Sequence, residues 1–306
     1  MEDIKLREKF KNATDSFIEK IKKNKKCLAA YLYGSLSHDL IFEWSDLQIF
    51  LIFDDSYKWA APSLIEHGID INACVFTKTK FLEWIASTDL EDWNFRGLSK
   101  STPLFVNDPI IKQSVDDIFY IGDRDREAEM LIGFGQAVYA MNKAEKNFYV
   151  KENIDNAVYF LFKAAEGIAW LEVAKRRLFH EREVIAQAKG LEPELIYKIY
   201  ERMLYEVVTD SMVDEILTFN INYMKENTEE VYRPVLAYLK KHGNLEKFSM
   251  PMRSGTFGLD ITWLYRMGIL EKEIEPTRIA SYSDVFYTYK YVMSEQYRQK
   301  IKNDEV

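Results

Sequence analysis

The sequence predicts a multidomain α+β protein: a mixed-sheet α/β domain over residues 1–123, an all-α bundle over 124–230 and a winged-helix-like domain over 231–306. Two observations predict it. Short apolar runs of strand composition alternate with helical stretches up to about Asp123, give way to apolar residues at helical spacing as far as about Glu230, and return after it. Charge divides the chain at the same places: 15 basic and 20 acidic side chains, then 14 and 20, then 12 and 9, so only the last segment is net positive.

In the first segment Leu6, Phe10, Phe17 and Ile21 recur near helical spacing, and lysines from Lys20 to Lys26 crowd the C-terminal end, where a helix dipole favours cations. Leu28 to Tyr33 is a short strand ending at Gly34-Ser35, Leu47 to Phe53 a second, and Ile69 to Phe76 a third. The second is apolar at nearly every position, which predicts cover on both faces. Pro103 and Pro109 punctuate a stretch of loops and helices. In the second segment Leu131, Phe134, Val138 and Met141 form one helical stripe, and Ala157, Leu161, Ala164, Ile168 and Leu171 another. Pro193 opens a further helix, and Ser211 with Asp214 opens the next in the manner of a capping box. In the third, Val231 to Lys241 is a helix stopped by Gly243, and Leu259 to Met267 a short one stopped by Gly268. Ile269–Ile279 and Val285–Val292 read as strands around a Ser281–Asp284 turn; helices followed by a hairpin resemble a winged helix-turn-helix.

Composition excludes several classes. With 47% hydrophobic and 29% charged residues the chain is ordinary globular material, and no apolar run approaches the roughly 18 residues of a membrane span. The opening Met-Glu-Asp-Ile-Lys predicts no signal peptide. Two widely spaced cysteines, Cys27 and Cys74, suit a reducing cytoplasm and supply no zinc framework. A net charge of −8 argues against bulk nucleic-acid binding, though not against one basic module.

The most informative stretch is Tyr31 to Phe53, YLYGSLSHDLIFEWSDLQIFLIF. A strand runs into Gly34-Ser35, and ten residues later Ser45-Asp46-Leu47-Gln48 opens the next strand. Gly34 would let backbone approach a phosphate closely, and Ser35 with the amides of a helix it opens would bind phosphate oxygens. Residues 46 and 48, two apart on a strand, share a face, as do Asp70 and Asn72 in Ile69-Asp70-Ile71-Asn72. This pattern resembles the signature of the nucleotidyltransferase superfamily, the polymerase-beta-like fold, where a Gly-Ser pair is followed by Asp-hydrophobic-Asp or Asp-hydrophobic-Glu. Along most of its length the chain is also similar to uncharacterised bacterial nucleotidyltransferase-like proteins with a helical domain and a C-terminal winged helix.

The resemblance implies a nucleoside triphosphate with Mg²⁺ or Mn²⁺. Asp46 would be a catalytic metal ligand, and Asp70 a metal ligand or base. Gly34, Ser35, Gln48 and Asn72 would contact the nucleotide. If active, such a protein would move a nucleoside monophosphate onto a hydroxyl or amine. Gln48 departs from the pattern, since an amide oxygen can ligate Mg²⁺ but brings no charge. The rival reading is therefore a degenerate, inactive nucleotide-binding or regulatory module whose winged helix contacts nucleic acid or a protein. Asp39 and Glu43, between the motif halves, read as surface acids.

Other candidates fail sooner. The four histidines form no metal-spaced pair, and no Walker, nucleophile-elbow or dinucleotide-binding motif is present. Arg176-Arg177 with His180 is similar to the Arg…His pair of HEPN-type ribonucleases, but the spacing is short and a solvated helix end is the better reading. The many Tyr and Phe residues between 119 and 291 fall mostly at helical spacing, which predicts core packing.

Overall fold

The computed structural model describes residues 2–38, 42–58, 64–88, 92–118, 120–246, 248, 250–252, 255–257, 261–277 and 286–304. The chain forms two compact units, Met1–Ile121 and Gly122–Val306.

The first unit contains α1 (Glu2–Lys22), β1 (Cys27–Tyr33), a 3-10 turn (Ser35–His38), β2 (Leu47–Phe53), β3 (Leu64–Glu66), β4 (Ile69–Thr77), α2 (Lys78–Ser87), α3 (Trp93–Ser99), β5 (Thr102–Val106) and α4 (Pro109–Ile118). The strands form one mixed sheet in the order β3-β4-β2-β1-β5; β2 and β4 are parallel and the other neighbours antiparallel. The apolar run Leu47–Phe53 is its central strand, as the sequence predicts. Odd-numbered Leu47, Ile49, Leu51 and Phe53, with Ile69 and Ile71, form one core with Phe10, Ala13 and Phe17 of α1. Even-numbered Phe50 and Phe76 turn the other way, onto Trp84 of α2, which in turn meets Phe95 of α3. The sheet is thus covered by α1 on one face and by aromatic side chains of α2 and α3 on the other.

The second unit contains α5 (Asp123–Glu145), continued by a π turn, α6 (Ile154–Lys175), α7 (Val184–Leu191), α8 (Pro193–Ile196), continued through a second π turn into α9 (Arg202–Tyr205), α10 (Asp210–Val231), α11 (Arg233–His242), β6 (Met250–Met252), β7 (Gly255–Phe257), α12 (Thr262–Arg266), β8 (Leu270–Thr277), β9 (Phe286–Met293) and α13 (Glu295–Asp304). The two predicted helical stripes are α5 and α6. They cross at Gly133 and Gly167, so closely that a Cβ on Gly167 would stand 2.6 Å from the Ala137 amide nitrogen and 2.7 Å from the Gly133 carbonyl. The predicted capping box is displaced: the cap of α10 is Thr209, whose hydroxyl accepts from the Met212 amide at 3.2 Å, while Ser211 donates to Glu215 instead. Thr209 wins because its extended backbone can cap, whereas Ser211 already lies inside the helix. Gly243 ends α11 at φ 75°, its amide bonding the Leu239 carbonyl.

The expected hairpin forms as β8 and β9, and its Ser281–Asp284 turn lies outside the described residues. Among the described residues of 231–306, Trp263, Leu264, Leu270 and Met293 belong to the same hydrophobic core as the bundle. Trp263 donates from Nε1 to Thr228 Oγ1 at 2.8 Å and packs edge-on against Phe134 at 5.7 Å. Among the described residues no helix is long and apolar enough to cross a membrane.

One buried charge network also belongs to this unit. Glu172 of α6 accepts from Lys175 and Arg176, each at 2.7 Å, and from the Tyr223 hydroxyl. Burial by itself would raise its pKa, but the hydrogen bonds from Lys175, Tyr223 and Arg176 outweigh burial and hold it below the ordinary 4.5. A depressed folded-state pKa gives stability that is complete above the unfolded value and is lost as pH falls through the folded one. Urea midpoints should therefore drop as pH falls below about 4.5, and Glu172→Gln should flatten that decline while lowering the midpoint at neutral pH.

Candidate functional site

The site predicted from sequence lies at the end of the central strands. Tyr33 closes β1, and Gly34 follows in the left-handed region at φ 77°. Gly34 is required twice over, because a Cβ there would also stand 2.6 Å from Gln48 Oε1 and 3.0 Å from Gln48 Cδ. Ser35 is exposed and opens a four-residue 3-10 turn, so among the described residues the α-helix N-terminus expected behind it is not found. A single turn aligns few peptide dipoles and is a weaker anion site than an α-helix. Asp39 lies outside the described residues, as does the His38 side chain; Glu43 is exposed.

Gln48 pairs with Tyr33 across the antiparallel side of β2 and with Asn72 across the parallel side. Asp46 and Asp70 each precede one member of the next pair, Leu47 and Ile71. Leu47 and Ile71 point into the core against α1, so Asp46, Gln48, Asp70 and Asn72 share the opposite face. Asp70 and Asn72 are exposed; Asp46 and Gln48 are half-buried.

The Gln48 amide is the decisive detail. Its Nε2 donates to Asp46 Oδ1 at 3.1 Å. Its Oε1 lies over Gly34, buried and without a hydrogen-bond partner among the described residues. Such an orphaned acceptor costs about 1–3 kcal/mol. The space that glycine leaves beside the strand end, which the sequence assigns to a triphosphate, is therefore filled by the protein's own amide.

Three side chains that the sequence reading missed complete the surroundings. The Tyr33 ring stacks on Phe50 at 4.2 Å, and its hydroxyl end lies near Cys74. Burial first, then Cys74 and the Asp46 carboxylate, hold the Tyr33 phenol above its ordinary pKa. Cys74 is likewise pushed up, mainly by burial, with the charge of Asp92 adding to it. Asp92 itself caps α3, accepting from the Phe95 amide at 2.9 Å. Strand alternation was the available signal for Cys74, since it continues the series Asp70, Asn72.

These residues do not fit a two-metal centre. Among the described residues no group of three His, Cys, Asp or Glu side chains is placed to hold a metal ion. Asp46 has one oxygen engaged by an amide donor, and position 48 offers no carboxylate to bridge two cations.

A solved nucleotidyltransferase-like protein from Exiguobacterium sibiricum 255-15 superposes on the chain with a TM-score of 0.57 at 14% identity, covering 93% of this chain and 99% of that one. The fold is nucleotidyltransferase-like. No family model and no curated protein matches the chain. At this identity the likeness speaks for the fold, and the chemistry has to be argued from the residues themselves.

Proposed function

We propose that this is a nucleotidyltransferase-like protein that binds a Mg²⁺-nucleoside triphosphate at the Asp46–Asp70 end of the sheet and has lost nucleotidyl transfer. The observation that carries this reading is the hydrogen bond from Gln48 Nε2 to Asp46 Oδ1. It puts a neutral donor where the superfamily pattern has a second carboxylate. Asp46 keeps one oxygen, and Asp70 is exposed and able to meet a cation carried by the triphosphate. Ser35 and Asn72 would touch the phosphates or sugar, while the Gln48 amide occupies the space over Gly34. Transfer to a hydroxyl or amine acceptor would need the missing charge at residue 48, because two close cations are screened from each other by bridging carboxylates.

The test is a thermal melt of the full chain with each nucleoside triphosphate and Mg²⁺ or Mn²⁺. At a hundredfold excess over Kd, binding adds about 2.7 kcal/mol, and Asp46→Ala should remove the shift. No shift with any nucleotide would sink the site.

A second contact surface follows from residues 231–306. Tyr265 and Tyr289 are about half exposed, and Lys272 Nζ sits 5.0 Å and 4.2 Å from their ring centres. A cation among exposed aromatic rings suits a nucleic-acid or protein partner, in keeping with the net positive charge of this segment. The free thiols Cys27 and Cys74 suit work in the cytoplasm.

A further inference from the structure

In the second unit two adjoining cavities, of about 390 and 380 Å³, share a wall made by Glu229, Tyr297 and Lys300. Helices α10, α11 and α13 and the turn at 267–269 line them. The floor is apolar, with Ile269, Leu236 and Tyr297 all buried. The rim is cationic: Lys225 borders one cavity, Arg233 and Lys240 the other, and Lys300 both. Glu229 is the one acid lining either cavity among the described residues, and it sits 3.0 Å from Lys300 Nζ. Arg233 is held by Glu127 at 2.6 Å. Lys225 and Lys240 have no ion pair or hydrogen bond among the described residues, in a chain with eight more acidic than basic side chains.

We propose that this groove is a binding site for a small organic anion, a phosphate monoester or carboxylate on an apolar body. Arg233 and Lys300 are already offset by Glu127 and Glu229, which leaves Lys225 and Lys240 as the rim charges that an incoming anion would neutralise. The buried floor favours an apolar body beside the charge. Cavities of this size lie within the range of about 300–1,000 Å³ typical of small-molecule sites. A bare phosphate would satisfy the rim and leave the floor uncovered; a neutral ring would do the reverse.

That contrast supplies the experiment. Isothermal titration calorimetry on the full chain would compare phenyl phosphate, inorganic phosphate and benzyl alcohol. Phenyl phosphate should bind saturably and at least about tenfold more tightly than either of the others. Lys225→Glu with Lys240→Glu should weaken it by about tenfold or more while leaving the melting temperature unchanged, since both side chains are exposed and unpaired. Asp46→Ala should not alter it, which separates this groove from the nucleotide site. Equal binding of benzyl alcohol, indifference to the double substitution, or no saturable binding would overturn the proposal. So would displacement of phenyl phosphate by a short single-stranded DNA that binds more tightly, which would make the ligand a polyanion.

Discussion

Trp263→Ala should lower the stability of the second unit by about 3–5 kcal/mol, the range for truncating a large buried aromatic. Trp263 is 1% exposed, packs against Phe134, and gives its indole N–H to Thr228 in α10. Alanine would leave a cavity where α5, α10 and α12 meet and remove that hydrogen bond. Urea unfolding followed by far-ultraviolet circular dichroism measures the loss. The result bears on architecture, because it asks whether residues 231–306 are stabilised by the bundle. A loss below about 1 kcal/mol, the scale of a surface substitution, would mean that Trp263 is not a core residue and that the segment stands alone.

Gly167→Ala should also be destabilising, although alanine is the better helix former by about 1 kcal/mol. The added methyl would meet the Ala137 nitrogen and the Gly133 carbonyl, both backbone, so no side chain can rotate away. α5 and α6 would have to separate along their length, and overpacking of this kind costs about 1–3 kcal/mol, occasionally more. Gly135→Ala on the facing helix α5 is the internal control: a Cβ there meets nothing within 4 Å, so the helix preference should act alone and stabilise. If both substitutions stabilise, the close crossing is wrong.

Much of this architecture is legible in the sequence, for identifiable reasons. Leu47–Phe53 could be read as a doubly covered strand because all but one of its residues is apolar, and it is the sheet's central strand. The stripes of α5 and α6 follow from spacing alone. Their crossing does not, since Gly133 and Gly167 are neutral in a hydrophobic pattern and reveal themselves only by what an added Cβ would strike. β3 and β5 are short edge strands with little pattern of their own. Helical spacing predicted core packing for the tyrosines, yet Tyr139, Tyr159 and Tyr205 are exposed, because a phenol can occupy the boundary of an apolar stripe with its hydroxyl in water.

The candidate site divides in the same way. Strand alternation places Asp46, Gln48, Asp70 and Asn72 on one face, and that could be read directly. The direction of the Gln48 amide could not, because it depends on three elements brought together: the turn at Gly34, the residue before β2 and the pairing with Asn72. Nor could the form of the stretch after Ser35, which among the described residues is a 3-10 turn and not the start of an α-helix.

The central claim is that a neutral residue at position 48 has left a nucleotide-binding protein without transfer activity. Pyrophosphate release from labelled nucleoside triphosphates, over a range of Mg²⁺ and Mn²⁺, tests it most directly. The native protein should release none above the level of Asp46→Ala, and Gln48→Glu should bind metal more tightly than the native chain. Brisk release by the native protein that disappears in Asp46→Ala would contradict the account, and would make this a working transferase in which Gln48 is no handicap.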